Sequence, residues 1–226
     1  TCEDEALANE LALAINDTNS QRRDLDLGTT TEAFEMLDSD PQSASRNSTV
    51  LFSNKWHKGV IGIVASRLIE TYYRPTLVFT KSGDVLAASA RSVKGFDVYE
   101  ALQACSEHLE QFGGHQFAAG LTLKPEKYHD FKTAFEKVVQ KTITPNALTP
   151  EISLDAEIDF DAISPKMLRI LKQFEPFGPQ NMTPVFVAKN LKDTGFAKQM
   201  GKNNEHLKLF IKQPNSIGID AIGFGL

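Results

Sequence analysis

The sequence predicts an α/β domain, a mixed sheet with flanking helices, led by a helical connector and followed by a small, incomplete β-barrel. Three observations carry this. Strand-like and helix-like segments alternate from "TVLFS" at residue 49 to about residue 141, the pattern of a sheet covered by helices. A Pro- and Thr-rich linker, "TITPNALTP", follows. After it the pattern changes to short β-prone runs separated by turn residues, as in a small barrel. The expected division is a connector and linker at 1–45, an α/β domain at 46–145 and a barrel domain at 146–226.

Each element has a local reason. Leu7, Leu11 and Ile15 recur at helical spacing, which predicts a helix over 3–27. Thr29 and Glu32 fit a capping box, so a second short helix is expected over 30–38. "DSDPQSASRNS" has the composition of a linker. "TVLFS" is a strand. "GVIGIVASRLIETYY" is a helix over 59–73, with Gly62, Ala65 and Ser66 small enough to lie close on a sheet. "TLVFT" and "VLAASAR" are strands joined by the turn "KSGD". Asp97 is a good N-cap for a helix over 97–112, whose apolar face would be Val98, Ala101, Leu102, Cys105, Leu109 and Phe112. A strand runs through Leu123, and Pro125 suits the first turn of a helix with Tyr128, Phe131, Phe135 and Val138 inward. In the last part, "ISLDAEIDF", "PVFVAKN", "HLKLFIK" and "IGIDAIGF" read as strands, and Ser164 and Pro165 open a helix over 164–174.

Bulk properties narrow the function. The chain has 226 residues, 41% hydrophobic and 23% charged, with a net charge of −5, ordinary globular values. The negative charge argues weakly against a nucleic-acid binder, but phosphate contacts are local. Cys2 and Cys105 form no CxxC pair, and the five histidines show no zinc-ligand spacing, so no metal is expected in this chain. No run reaches membrane-span length. A reducing, cytoplasmic setting without membrane contact fits, and a monomer is expected. The abrupt start and end lead us to expect a piece of a longer protein.

Three stretches could carry chemistry. In "QFGGHQFAAG" (111–120), Gly113 and Gly114 either cap the preceding helix or, with His115, offer backbone N–H groups and an imidazole to an anion. In "SNKWHKGV" (53–60), Gly59 at a helix start could help to hold an anion, with His57 beside it. Trp56 could stack on a base or anchor the core. In "AASARSVKGFD" (87–97), Ser89, Arg91 and Ser92 could hold a terminal phosphate through a guanidinium fork and flanking hydroxyls. Arg91 could equally pair with a surface carboxylate.

Together "WHKGVIGIVASRL", "SARS", "FGGHQFAAGLTL", "FEPFGPQNMTPVF" and "HLKL" resemble the C-terminal portion of the RecJ family, single-strand-specific 5′-to-3′ exonucleases among the DHH phosphoesterases. The resemblance covers essentially the whole chain, including the leading "AINDTNSQRRDLD". It implies a DHH-associated domain followed by a truncated OB fold. It implies Mn2+ or Mg2+ bound by an N-terminal domain with an Asp-His-His motif, a tripeptide absent from this sequence, so that this chain alone would be inactive. It implies a catalytic, substrate-contacting role for His115 on the Gly113–Gly114 loop, 5′-phosphate binding by Ser89 and Arg91, and single-stranded DNA with a 5′ end as the partner. Work in DNA repair and recombination, and association with a single-strand-binding protein or a helicase, follow from the same resemblance. Gln180 departs from the family's pattern, which favours glycine before Asn181. A stand-alone nucleic-acid-binding module and part of an oligoribonuclease-type phosphoesterase are the alternatives.

Overall fold

The structure, a computed structural model, describes residues 4–225. They fall into two units, divided between Pro150 and Glu151.

The first unit begins with one continuous helix, α1 (Glu5–Asp38), capped by the Asp4 carboxylate, which accepts from the backbone N–H groups of Ala6 and Leu7. The expected break at 27–30 is not there, and the expected start at residue 3, like Cys2, lies outside the described residues. An interior glycine costs a helix only about 1 kcal/mol. Burial of Thr29, Thr30, Ala33 and Leu37 outweighs that at Gly28. Glu32 makes no capping box: its carboxylate accepts the Trp56 indole N–H at 2.9 Å.

Then follow β1 (Thr49–Phe52), α2 (Ile61–Tyr72), β2 (Thr76–Ser82) and β3 (Val85–Arg91). Gly83, at φ +62°, makes the β2–β3 turn. The helix expected over 97–112 is shorter. After α3 (Val98–Gln103) the chain turns, and Gln111–His115 form β4, paired with β5 (Ala118–Leu123). Leu109 and Phe112 fit a helical face by spacing, yet Leu109 closes a 3-10 turn with its N–H on the Ser106 carbonyl, and the β5 ladder captures the chain after it: Glu110 donates its N–H to the Thr122 carbonyl, and Phe112 lies opposite Leu121. The glycine pair therefore lies within a strand and caps no helix. α4 (Tyr128–Thr142) buries Tyr128, Phe131, Phe135 and Val139, with Val138 only partly covered.

The sheet order is β1-β2-β3-β5-β4, with β1 parallel to β2 and the other pairs antiparallel. Strand alternation divides the core between the two faces. Leu77, Phe79, Ala90 and Leu121 pack with residues of α3 and α4. Leu51 and Val78 pack with α2, the C-terminal part of α1 and Trp56.

The second unit is built from short strands. β6 (Ala156–Glu157) pairs in parallel with β7 (Phe186–Val187). α5 (Pro165–Leu171), capped by Ser164, stops short of residue 174, and its last turn tightens into a 3-10 turn. β8 (Lys192–Asp193), β9 (Lys198–Met200), β10 (His206–Lys212) and β11 (Ile219–Phe224) form an antiparallel sheet in which β10 is central. No closed barrel forms among the described residues. The buried Gln213 side chain ties the layers together, accepting from Phe160 N–H and donating to the Asp159 carboxylate and the Lys189 carbonyl. Gly178 and Asn181 close a turn through reciprocal backbone bonds, and Gln180 sits there at φ +70°.

Candidate nucleic-acid interface

The register of the five-stranded sheet aligns Arg91, Ala118 and His115 in one row across β3, β5 and β4. Two positions along, Ser89, Gly120 and Gly113 form the next row on the same face. Adjacent strands lie about 4.8 Å apart, so Arg91 and His115 are on the order of 10 Å apart at their Cα atoms. Gly113, His115 and Gly120 are exposed. A Cβ at Gly113 would meet nothing within 4 Å, and one at Gly120 only the Ala88 carbonyl, at 4.0 Å. The result is a strip of sheet with bare backbone for a floor.

Ser89 and Arg91 stand at its side. Arg91 Nη1 donates to Ser89 Oγ at 2.9 Å and to the Ala90 carbonyl at 2.8 Å. Arg91 makes no ion pair among the described residues, so its half-buried charge lacks a counter-ion. A pocket of about 340 Å³ opens there, lined by Lys58, Gly59, Gly62, Ser89 and Arg91. A Cβ at Gly62 would lie 2.9 Å from Arg91 Nη2 and 3.0 Å from Ser89 Oγ. Glycine at 62 thus lets the guanidinium and the hydroxyl reach the start of α2, where the helix dipole favours an anion.

Several sequence expectations need correction. Trp56 is 5% exposed and bonded to Glu32; a buried indole offers no face to a base. α2 begins at Ile61, and the Gly59 N–H goes to His57 Nδ1 at 3.0 Å. Gly59 and His57 therefore shape the turn before the helix, and that N–H is engaged. Ser92 donates its hydroxyl to the Phe96 carbonyl and its N–H to the Phe117 carbonyl, pinning the β4–β5 turn to the loop after β3. Gly114 serves the hairpin itself. At φ +150°, a Cβ there would overlap the Ala118 carbonyl oxygen and lie 2.5 Å from Ala119 Cα. What comes close to this glycine is its own partner strand. Gly113, Ser89, Arg91 and His115 remain together on one face. Lys58, Gly62 and Gly120 join them; the pairing of Gly62 with Arg91 has no signal in the linear sequence, since it arises across a helix–sheet contact.

His115 is exposed, and its Nδ1 accepts the Phe117 N–H at 3.2 Å. In the neutral ring that bond places the proton on Nε2, leaving Nε2–H as a donor.

The second unit has its own candidate surface. Alternation places His206, Lys208, Phe210 and Lys212 on one face of β10. Lys198 lies opposite Lys208, and Lys192 opposite Lys212. Phe210 and Phe224 are exposed there. The Phe210 ring rests against Gly218, where a Cβ would come within 2.6 Å of it. Lys208 also pairs with Asp220 at 3.1 Å.

Family comparison agrees with both units. Residues 46–141 match the DHHA1 domain and residues 154–226 the RecJ OB domain. The single-stranded-DNA-specific exonuclease RecJ of Bacillus subtilis is 32% identical over 226 residues, covering 98% of this chain. The chain belongs to the RecJ family. RecJ of Thermus thermophilus, in crystal structures in complex with Mg2+ and with Mn2+, superposes with TM-scores of 0.82 and 0.81 at 25% identity over 100% of this chain. The chain spans 28% of the Bacillus subtilis RecJ and about a third of each Thermus thermophilus RecJ chain (33% and 32%). Among the described residues, no group of three or more His, Cys, Asp or Glu could hold a metal ion. No helix among them is long and apolar enough to cross a membrane.

Proposed function

We propose that this chain is the substrate-holding part of a metal-dependent, single-stranded-DNA-specific 5′-to-3′ exonuclease. The observation that carries the reading is the convergence on one sheet face of an arginine without a counter-ion, a hydroxyl, a helix start and a bare glycine floor. Arg91 and Ser89, beside the start of α2, hold the 5′-terminal phosphate. Arginine suits that task because its fork bonds two phosphate oxygens at once. Gly113 and Gly120 let the sugar-phosphate backbone lie against the sheet. His115 donates from Nε2 to a phosphate oxygen. The second unit binds single-stranded DNA on its own surface, the lysines of β9 and β10 on phosphates and the rings of Phe210 and Phe224 on bases. Requiring a 5′ end gives the polarity of degradation; a groove that stacks bases selects single strands.

Fluorescence anisotropy tests the reading. A short single-stranded oligonucleotide bearing a 5′ phosphate should bind this chain more tightly than its 5′-hydroxyl twin, and Arg91→Ala should abolish the difference. Equal binding of the two oligonucleotides by the unmodified chain would remove the assignment of Ser89 and Arg91.

A further inference from the structure

Away from that face, a cleft of about 370 Å³ opens between the polar side of α4 and the segment leading into β1. Arg46, Ser48, His129, Lys132, Glu136 and Lys137 line it. Its charges do not balance. Glu136 is engaged by the backbone N–H groups of Asn47 (2.8 Å) and Ser48 (3.0 Å), by the Ser48 hydroxyl and by Gln140. Asp40 pairs with Arg46 at 2.6 Å. Arg74, 6% exposed behind them, spends its donors on Thr49, on Ser43 and on the Arg46 carbonyl, with no ion pair. Lys132 is half-buried and makes no ion pair or hydrogen bond among the described residues. Burial, and after it the nearby Arg46 guanidinium, hold its ammonium below the usual lysine range. Arg46, Lys132 and Lys137 line the cleft with the buried Arg74 behind them, against Glu136 in the lining and Asp40 on Arg46, a local excess of two positive charges. A phosphomonoester carries about −1.5 to −2 at neutral pH, which matches that excess better than a carboxylate does. The volume lies at the low end of small-molecule sites, about 300–1,000 Å³.

We propose that this cleft binds a phosphomonoester, with Lys132 as its principal charge, Lys137 and Arg46 flanking it and His129 at its rim. The site is distinct from the Arg91 pocket and does not depend on the exonuclease reading.

The test is calorimetric titration of the Arg91→Ala chain, in which the Arg91 pocket is disabled, with inorganic phosphate, a deoxynucleoside 5′-monophosphate and the unphosphorylated deoxynucleoside. Phosphate and the monophosphate should bind and the deoxynucleoside should not. Lys132→Gln should weaken binding about tenfold or more, the worth of one charge-assisted contact. Lys137→Gln should weaken it less. Tighter binding of the monophosphate than of phosphate would mark a nucleotide as ligand; equal binding would mark free phosphate. The proposal is overturned if neither binds the Arg91→Ala chain, or if affinity survives the addition of Lys132→Gln with an unchanged melting curve. It is overturned too if a 5′-hydroxyl oligonucleotide displaces the monophosphate from the Arg91→Ala chain, because the ligand would then be a nucleic-acid backbone.

Discussion

Adjacent glycines in β4 should respond oppositely to the same substitution. At Gly114 an added methyl group would overlap the Ala118 carbonyl oxygen and lie 2.5 Å from Ala119 Cα, both backbone atoms of the paired strand, at φ +150°. Neither neighbour is the tip of a flexible side chain, so the hairpin itself must open. Backbone conformations of this kind cost a side-chain-bearing residue about 1–3 kcal/mol, and forcing atoms into an occupied space adds about 1–3 kcal/mol. Gly114→Ala should therefore lose about 2–6 kcal/mol of stability. At Gly113 the methyl group would enter open space at an ordinary φ, so Gly113→Ala should change stability by no more than about 0.5 kcal/mol. Urea unfolding of the two variants beside the parent chain, with hydrogen exchange of β4 and β5 amides, measures both quantities. In DNA binding the order should reverse in cause: the folded Gly113→Ala chain should lose affinity because its floor is raised. Equal stabilities for the two variants would refute the reasoning that register, and not substrate, demands glycine at 114.

Gly62→Ala should keep or slightly raise stability, since alanine favours a helix by up to about 1 kcal/mol. It should lose the preference for a 5′ phosphate as Arg91 is displaced; anisotropy with the paired oligonucleotides reads this. Phe210→Ala or Phe224→Ala should weaken single-strand binding by about 1–3 kcal/mol each, the worth of stacking one base, without altering that preference. Gln180→Gly should stabilise the second unit by up to about 1 kcal/mol, because Gln180 holds φ +70°, a region that costs ordinary residues about 1–2 kcal/mol; a shift in its thermal transition checks this. Burial, and after it Glu107, push the Cys105 thiol up to about 11. In a Cys2→Ser background, native Cys105 should therefore resist a thiol reagent at pH 8 and react when urea unfolds the chain, whereas rapid native labelling would contradict the burial.

The order of elements was legible wherever periodicity and punctuation agreed. "TLVFT", "VLAASAR" and the aromatic face of α4 are local patterns, and so are the hydroxyl–arginine pair at 89 and 91 and the histidine after two glycines. The end of α3 was not legible. Leu109 and Phe112 satisfy helical spacing, and only the pairing of Glu110 with Thr122 and of Phe112 with Leu121 decides for a strand after Leu109. Local sequence leaves Trp56 open between stacking and core, and Glu32 of α1, 24 residues away, decides it by supplying the hydrogen-bond partner. By itself the sequence determined which chemistry is present: the residue types, their local conformations and the family to which they belong. Tertiary structure alone decided which glycine serves the hairpin and which serves the groove, that Gly62 admits Arg91, and that Lys132 faces too few carboxylates. Those are distances between segments remote in the chain, set by strand register and helix docking, and no local spacing encodes them.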